Sequence, residues 1–153
     1  MENNSAFDSF ELQLTESAKL FLRETAKWGR FLAIVGYVVI GLMVLGAFAM
    51  FALGGAMESL AGGMGGGMMA LGGTALGIIY LLIALLYFFP VMYLYKFSTK
   101  TLAAFNNNNT EQLTDAFENL KSHYKFVGIL TAIVLGIYAL FFILGLFAAL
   151  AAF

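Results

Sequence analysis

Few side chains in this sequence are equipped for chemistry. Met57, Met64, Met68 and Met69 cluster within residues 54–73, and their thioether sulfurs are soft donors of the kind that suits Cu(I). Glu58 stands alone in that same stretch, and a single carboxylate is not an acid/base pair. His123 is the one histidine, and there are 0 cysteines. Disulfides, thiolate metal sites and a cysteine nucleophile are thereby excluded, and very few routes to a zinc or haem-iron site remain. Residues 54–73 are also glycine-rich, but they lack the Gly-Lys-Ser/Thr of a phosphate loop and contain no lysine at all. The expectation is that the chain is not an enzyme and carries no cofactor, with the four methionines as the one candidate metal set.

The elements that position these residues belong in a membrane. The chain has 153 residues, 61% of them hydrophobic and only 11% charged. Soluble domains run nearer about 45–50% apolar and about 25% charged. A net charge of −1 gives no basic surface for nucleic acid. About 20 mainly apolar residues are needed to cross some 30 Å of hydrocarbon. Residues 31–53, 74–95 and 126–153 meet that requirement without one Asp, Glu, Lys, Arg or His. Open strands would leave backbone groups unsatisfied in lipid, and the alternation of a barrel is absent. The fold class expected is an all-α membrane protein: three transmembrane helices with amphipathic cytoplasmic helical extensions. Ala47-Phe48-Ala49 mimics a signal-peptidase site, but the long acid-bearing region before it favours a retained span.

Orientation follows from the basic residues. Lys19, Arg23, Lys27 and Arg30 precede the first span, and Lys96, Lys100, Lys121 and Lys125 lie between the second and third. Residues 54–73 have none. Lys and Arg near span ends stay on the cytoplasmic side. The expectation is therefore a multi-pass protein of the cell (inner) membrane, with a cytoplasmic N-terminus, an external 54–73 loop and an external C-terminus.

Along the chain, residues 1–14 read as an irregular tail. Thr15 is a suitable N-cap for an amphipathic juxtamembrane helix over 15–30, on which Phe21 and Trp28 share the apolar face. Gly29 is a candidate bend. Pro90 removes a backbone donor inside the second span and predicts a kink. Residues 96–125 form a cytoplasmic helical connection, broken at Asn106 to Asn109 and recapped by Thr110. Beyond it, Leu113, Ala116, Phe117, Leu120 and Tyr124 recur at helical spacing. Phe117 and Leu120 are expected to pack against Phe21 and Trp28 as a short collar below the bilayer. Tyr37, Tyr80, Tyr87 and Tyr138 are the main polar handles within the spans. Gly128, Ala132 and Gly136 recur every four residues and make a plausible close-packing stripe on the third span. Gly36, Gly41 and Gly46 are five apart and specify a face poorly.

The run Ala26-Lys27-Trp28 with Arg30-Phe31-Leu32-Ala33-Ile34-Val35-Gly36 resembles the entry to the first span in a family of small bacterial membrane proteins of unknown function. Phe89-Pro90 with Lys96-Phe97-Ser98 is similar too, as is Ala116-Phe117-Glu118-Asn119-Leu120-Lys121-Ser122 leading into Phe126-Val127-Gly128-Ile129-Leu130. The resemblance implies a three-span integral membrane protein and supplies no activity or catalytic residue. The function expected is structural or accessory: helix packing with itself or with a larger membrane complex, in a lipid bilayer. A homo-oligomeric channel using the Gly-rich segment is one alternative. Soft-metal (copper) handling by the methionine loop is another.

Overall fold

The computed structural model describes residues 14–61 and 72–151, with side chains over 14–54 and 73–150. Three helices make up the described chain: α1 (Glu16–Ala61), α2 (Gly72–Asn107) and α3 (Thr110–Ala151). All three are long and apolar enough to cross a membrane. At 1.5 Å per residue, the 46 residues of α1 extend about 69 Å, more than twice the hydrocarbon thickness. Each helix therefore combines a span with an amphipathic extension, without a break between the two.

The helix starts follow from local hydrogen bonding. Thr15 caps α1 as expected, its Oγ1 accepting from the Ala18 amide at 3.2 Å. For α3 the cap is Asn109 rather than Thr110, because the Asn109 Oδ1 accepts from the Gln112 amide at 3.1 Å. Asn108 takes the left-handed conformation (φ 49°) that reverses the chain, a geometry asparagine tolerates better than most residues. The Asn run thus supplies both the turn and the cap.

Two boundaries differ from the sequence reading. α1 continues beyond Leu53 to Ala61, and α2 begins at Gly72, so both ends of the expected 54–73 loop are helical. The physical reason is close approach: a Cβ on Gly73 would lie 2.5 Å from the Gly54 Cα and 2.8 Å from the Met50 carbonyl oxygen. These two glycines serve helix contact rather than loop freedom. Residues 1–13 and 62–71, with Met64, Met68 and Met69, fall outside the described residues, as does the Met57 side chain.

α2 is the central helix. α1 and α3 each pack antiparallel against it and make no helix–helix contact with one another. The α1–α2 contact extends along nearly the whole pair. The α2–α3 contact is confined to the half next to the Asn turn, and every residue of α3 from Thr131 to Leu150 is exposed.

Candidate functional site

Three features stand out: a seam, a groove and an open helix face. The seam joins α1 to α2. Ala26, Gly29, Ala33 and Gly36 alternate three and four residues apart, the spacing that keeps one helix stripe on its partner. Ala26, Ala33 and, further along, Ala47 are fully buried in it. A Cβ on Gly29 would meet the Ser98 Oγ at 2.5 Å, and one on Gly36 would meet the Val91 Cγ2 at 2.8 Å. As the α1 residue advances by seven, its α2 partner retreats by seven, which is an antiparallel heptad register. Gly54 opposite Gly73 closes the same register at the far end. Small residues let two backbones come close enough for dispersion and weak Cα–H contacts to hold them in lipid. Gly29, read from sequence as a bend, sits in this seam within an uninterrupted helix.

Two polar side chains are wholly buried in α2. Ser98 donates to the Leu94 carbonyl at 2.8 Å. Thr101 is 0% exposed, and its Oγ1 has no hydrogen-bond partner among the described residues.

The α2–α3 contact is held near the Asn turn by Lys100–Asp115 (2.8 Å) and by the rings of Phe97 and Phe117, 6.4 Å apart. Deeper, Phe89 meets Phe126 at 5.9 Å. Pro90 is buried, and its carbonyl accepts from the His123 Nδ1 at 2.8 Å. A carbonyl only accepts, so the proton sits on Nδ1. On the other flank of α2, the Arg23 Nη2 donates to the Asn106 Oδ1 at 2.7 Å and ties α1 to the end of α2.

The expected collar takes a different form. Phe21 and Trp28 on α1, and Leu120 and Tyr124 on α3, line facing walls of an open groove of about 440 Å³, with Leu94 and Phe97 of α2 between them. Phe117 rests on Phe97 instead of on α1. The buried Phe97 of α2 lines the groove between the α1 and α3 walls.

The stripe of Gly128, Ala132 and Gly136 faces open space. Nothing lies within 4 Å of a Cβ built on Gly128 or Gly136, and Ala132 is exposed. The close-packed small-residue face inside the chain is thus the α1–α2 seam, which four-residue repeats of glycine did not point to. Its signal was the mixed Ala/Gly alternation from Ala26 to Gly36. Among the described residues, no three His, Cys, Asp or Glu come together as a metal site.

An all-helical chain with three long apolar helices, two of them packed on a central third, is a multi-pass membrane bundle in contact with lipid. The chain belongs to the family described as "Family of unknown function (DUF5362)", whose model matches residues 64–146. That match takes in α2 and most of α3 but not α1. No curated protein and no solved structure matches the chain significantly.

Proposed function

We propose that this protein is a structural or accessory component of the inner membrane, without enzymatic activity, that acts by packing its third helix against another protein chain. The observation that carries this reading is the outer half of α3, where every residue from Thr131 to Leu150 is exposed and the Gly128–Ala132–Gly136 face is open. The α1–α2 seam supports this reading by analogy, since within this chain two helices already join through small residues. Tyr138 adds support. It lies about 18 Å along the helix from Phe126, near mid-membrane, and is 69% exposed. Lipid tails offer its hydroxyl no acceptor, whereas a neighbouring helix does. In this reading the basic side of the bundle is cytoplasmic and the α1–α2 connection external.

The test is oligomer size and co-purification in nanodiscs. Ala132→Leu and Gly136→Leu are expected to weaken association at unchanged melting temperature, while Ile133→Leu leaves it intact. If all three behave alike, the stripe is simply lipid-facing and the proposed role is lost.

A further inference from the structure

The groove between α1 and α3 runs lengthwise, and its two ends lie at different depths. At the inner end Leu32 and Leu94 belong to the spans. The registers set by Gly36 on Val91 and by His123 on Pro90 put Leu120 and Tyr124 at that depth or further in. At the outer end α1 contributes Phe21, Thr25 and Trp28, all of which precede Phe31, the first residue of the uncharged stretch. At 1.5 Å per residue Phe21 stands about 15 Å before Phe31, whereas the headgroup layer adds only about 5–8 Å to each face of the hydrocarbon. Acyl chains can serve the inner end but do not reach Phe21. Yet Phe21 is 69% exposed and Trp28 is 63% exposed. Large apolar rings left open outside the hydrocarbon call for a protein cover.

We propose that this cover is the chain's own N-terminal segment, residues 1–13, which doubles back along α1 and sets Phe10 on Phe21 and Phe7 on Trp28. Those residues lie outside the described structure, and the argument rests on their length and on where they join it. They lead through Leu14 to the Thr15 cap of α1. Along the helix, Thr15 is about 9 Å from the level of Phe21 and about 20 Å from that of Trp28. A chain returning from Gln13 advances at most about 3.3 Å per residue, so about 10 Å brings Phe10 level with Phe21 and about 20 Å brings Phe7 level with Trp28. The two phenylalanines thus match the two aromatic residues in spacing as well as in reach. Tethering favours this occupant over any free peptide, because a segment joined to Thr15 meets the groove at an effective concentration on the order of millimolar.

The chain has 0 native cysteines, so paired substitutions test the contact in the full-length protein in nanodiscs. Ser9→Cys is combined either with Thr25→Cys, at a position that lines the groove, or with Lys27→Cys, at one that does not. Under mild oxidation the Ser9/Thr25 pair is expected to form an intramolecular disulfide about tenfold faster than the Ser9/Lys27 pair. Adding Phe7→Ser and Phe10→Ser should remove that difference. In the chain without cysteines, the same two serine substitutions should shift the emission of Trp28, the only tryptophan, to longer wavelength. Thr25 and Lys27 are both exposed on α1, and circular dichroism verifies that the variants keep their helices. Equal rates for the two pairs, or a preference for Thr25 that survives the loss of both phenylalanines, would overturn the proposal. Disulfides joining two chains would place a second copy's segment in the groove and overturn it as well. Trp28 emission unmoved by the serine substitutions would mean that the ring has another cover, and the proposal would fall.

Discussion

The imidazole of His123 on α3 donates to the backbone carbonyl of Pro90 on α2 across 2.8 Å. Proline removes the hydrogen bond that its own amide would have made to Leu86, and its ring crowds that turn. The bond to His123 anchors α3 on the disturbed segment, close to where the two helices part company. A structural role for this lone histidine follows from the geometry.

Replacing that donor loosens α3. His123→Ala is expected to lower stability by about 1 kcal/mol, the net worth of one hydrogen bond. His123→Asn, whose Nδ2 can reach a similar position, should recover part of the loss. Thermal unfolding of the three proteins in one detergent measures this. Equal melting temperatures would show that the bond contributes nothing.

The α1–α2 seam predicts a contrast between two glycines of one span. Gly36→Leu drives a side chain into Val91 and is expected to cost about 1–3 kcal/mol, as overpacking does. Gly41→Leu meets nothing within 4 Å and should fall within about 0.5 kcal/mol of the wild type. Combining Gly36→Ala with Val91→Ala should restore close packing that Gly36→Leu destroys. If both leucine variants melt alike, the seam does not hold the two helices together.

What sequence reasoning could reach follows from the range of each interaction. The three spans were legible because residues 31–53, 74–95 and 126–153 contain no charge, and lipid imposes that on each helix separately. The Thr15 cap was legible because it depends on three neighbouring residues. The Asn turn was placed correctly, with its cap misplaced by one residue, since Asn109 and Thr110 are both competent caps and only the φ of Asn108 decides between them. The seam was missed because Ala26 and Ala33 disguise the glycine spacing, and because helix pairing depends on a second helix sixty residues away. The groove was beyond reach for a related reason. It lies between two helices whose apolar faces looked mutually complementary but which each pack on α2 instead.

Thr101 offers a gain in stability. Its hydroxyl is fully buried with no partner among the described residues, and a buried polar group in that state costs roughly 1–3 kcal/mol. Thr101→Val keeps the branched shape and removes the hydroxyl. The variant is expected to be more stable by about 1 kcal/mol in a detergent melt. A loss of stability would mean that the hydroxyl holds an ordered water or a backbone carbonyl in the native bundle.

Membrane orientation gives the last prediction. All eight Lys and Arg residues lie in 1–30 or 96–125, and the connection between α1 and α2 has none. Moving such cations across the bilayer is resisted during insertion, so they are expected on the cytoplasmic side. The structure makes the two ends chemically unlike as well. At the basic end Lys100 pairs with Asp115 and Arg23 with Asn106, contacts suited to water, whereas the opposite end of the α1–α2 pair closes on Gly54 and Gly73. A cysteine introduced at Ser59 is therefore expected to react with a membrane-impermeant maleimide added to intact cells. One introduced at Asn107, in a chain with 0 native cysteines, should react only after permeabilisation. Labelling of Asn107→Cys from outside, with Ser59→Cys protected, would invert the molecule. The groove between α1 and α3 would then belong to the outer side, and any accessory partner reached through the basic end would have to be sought outside the cell.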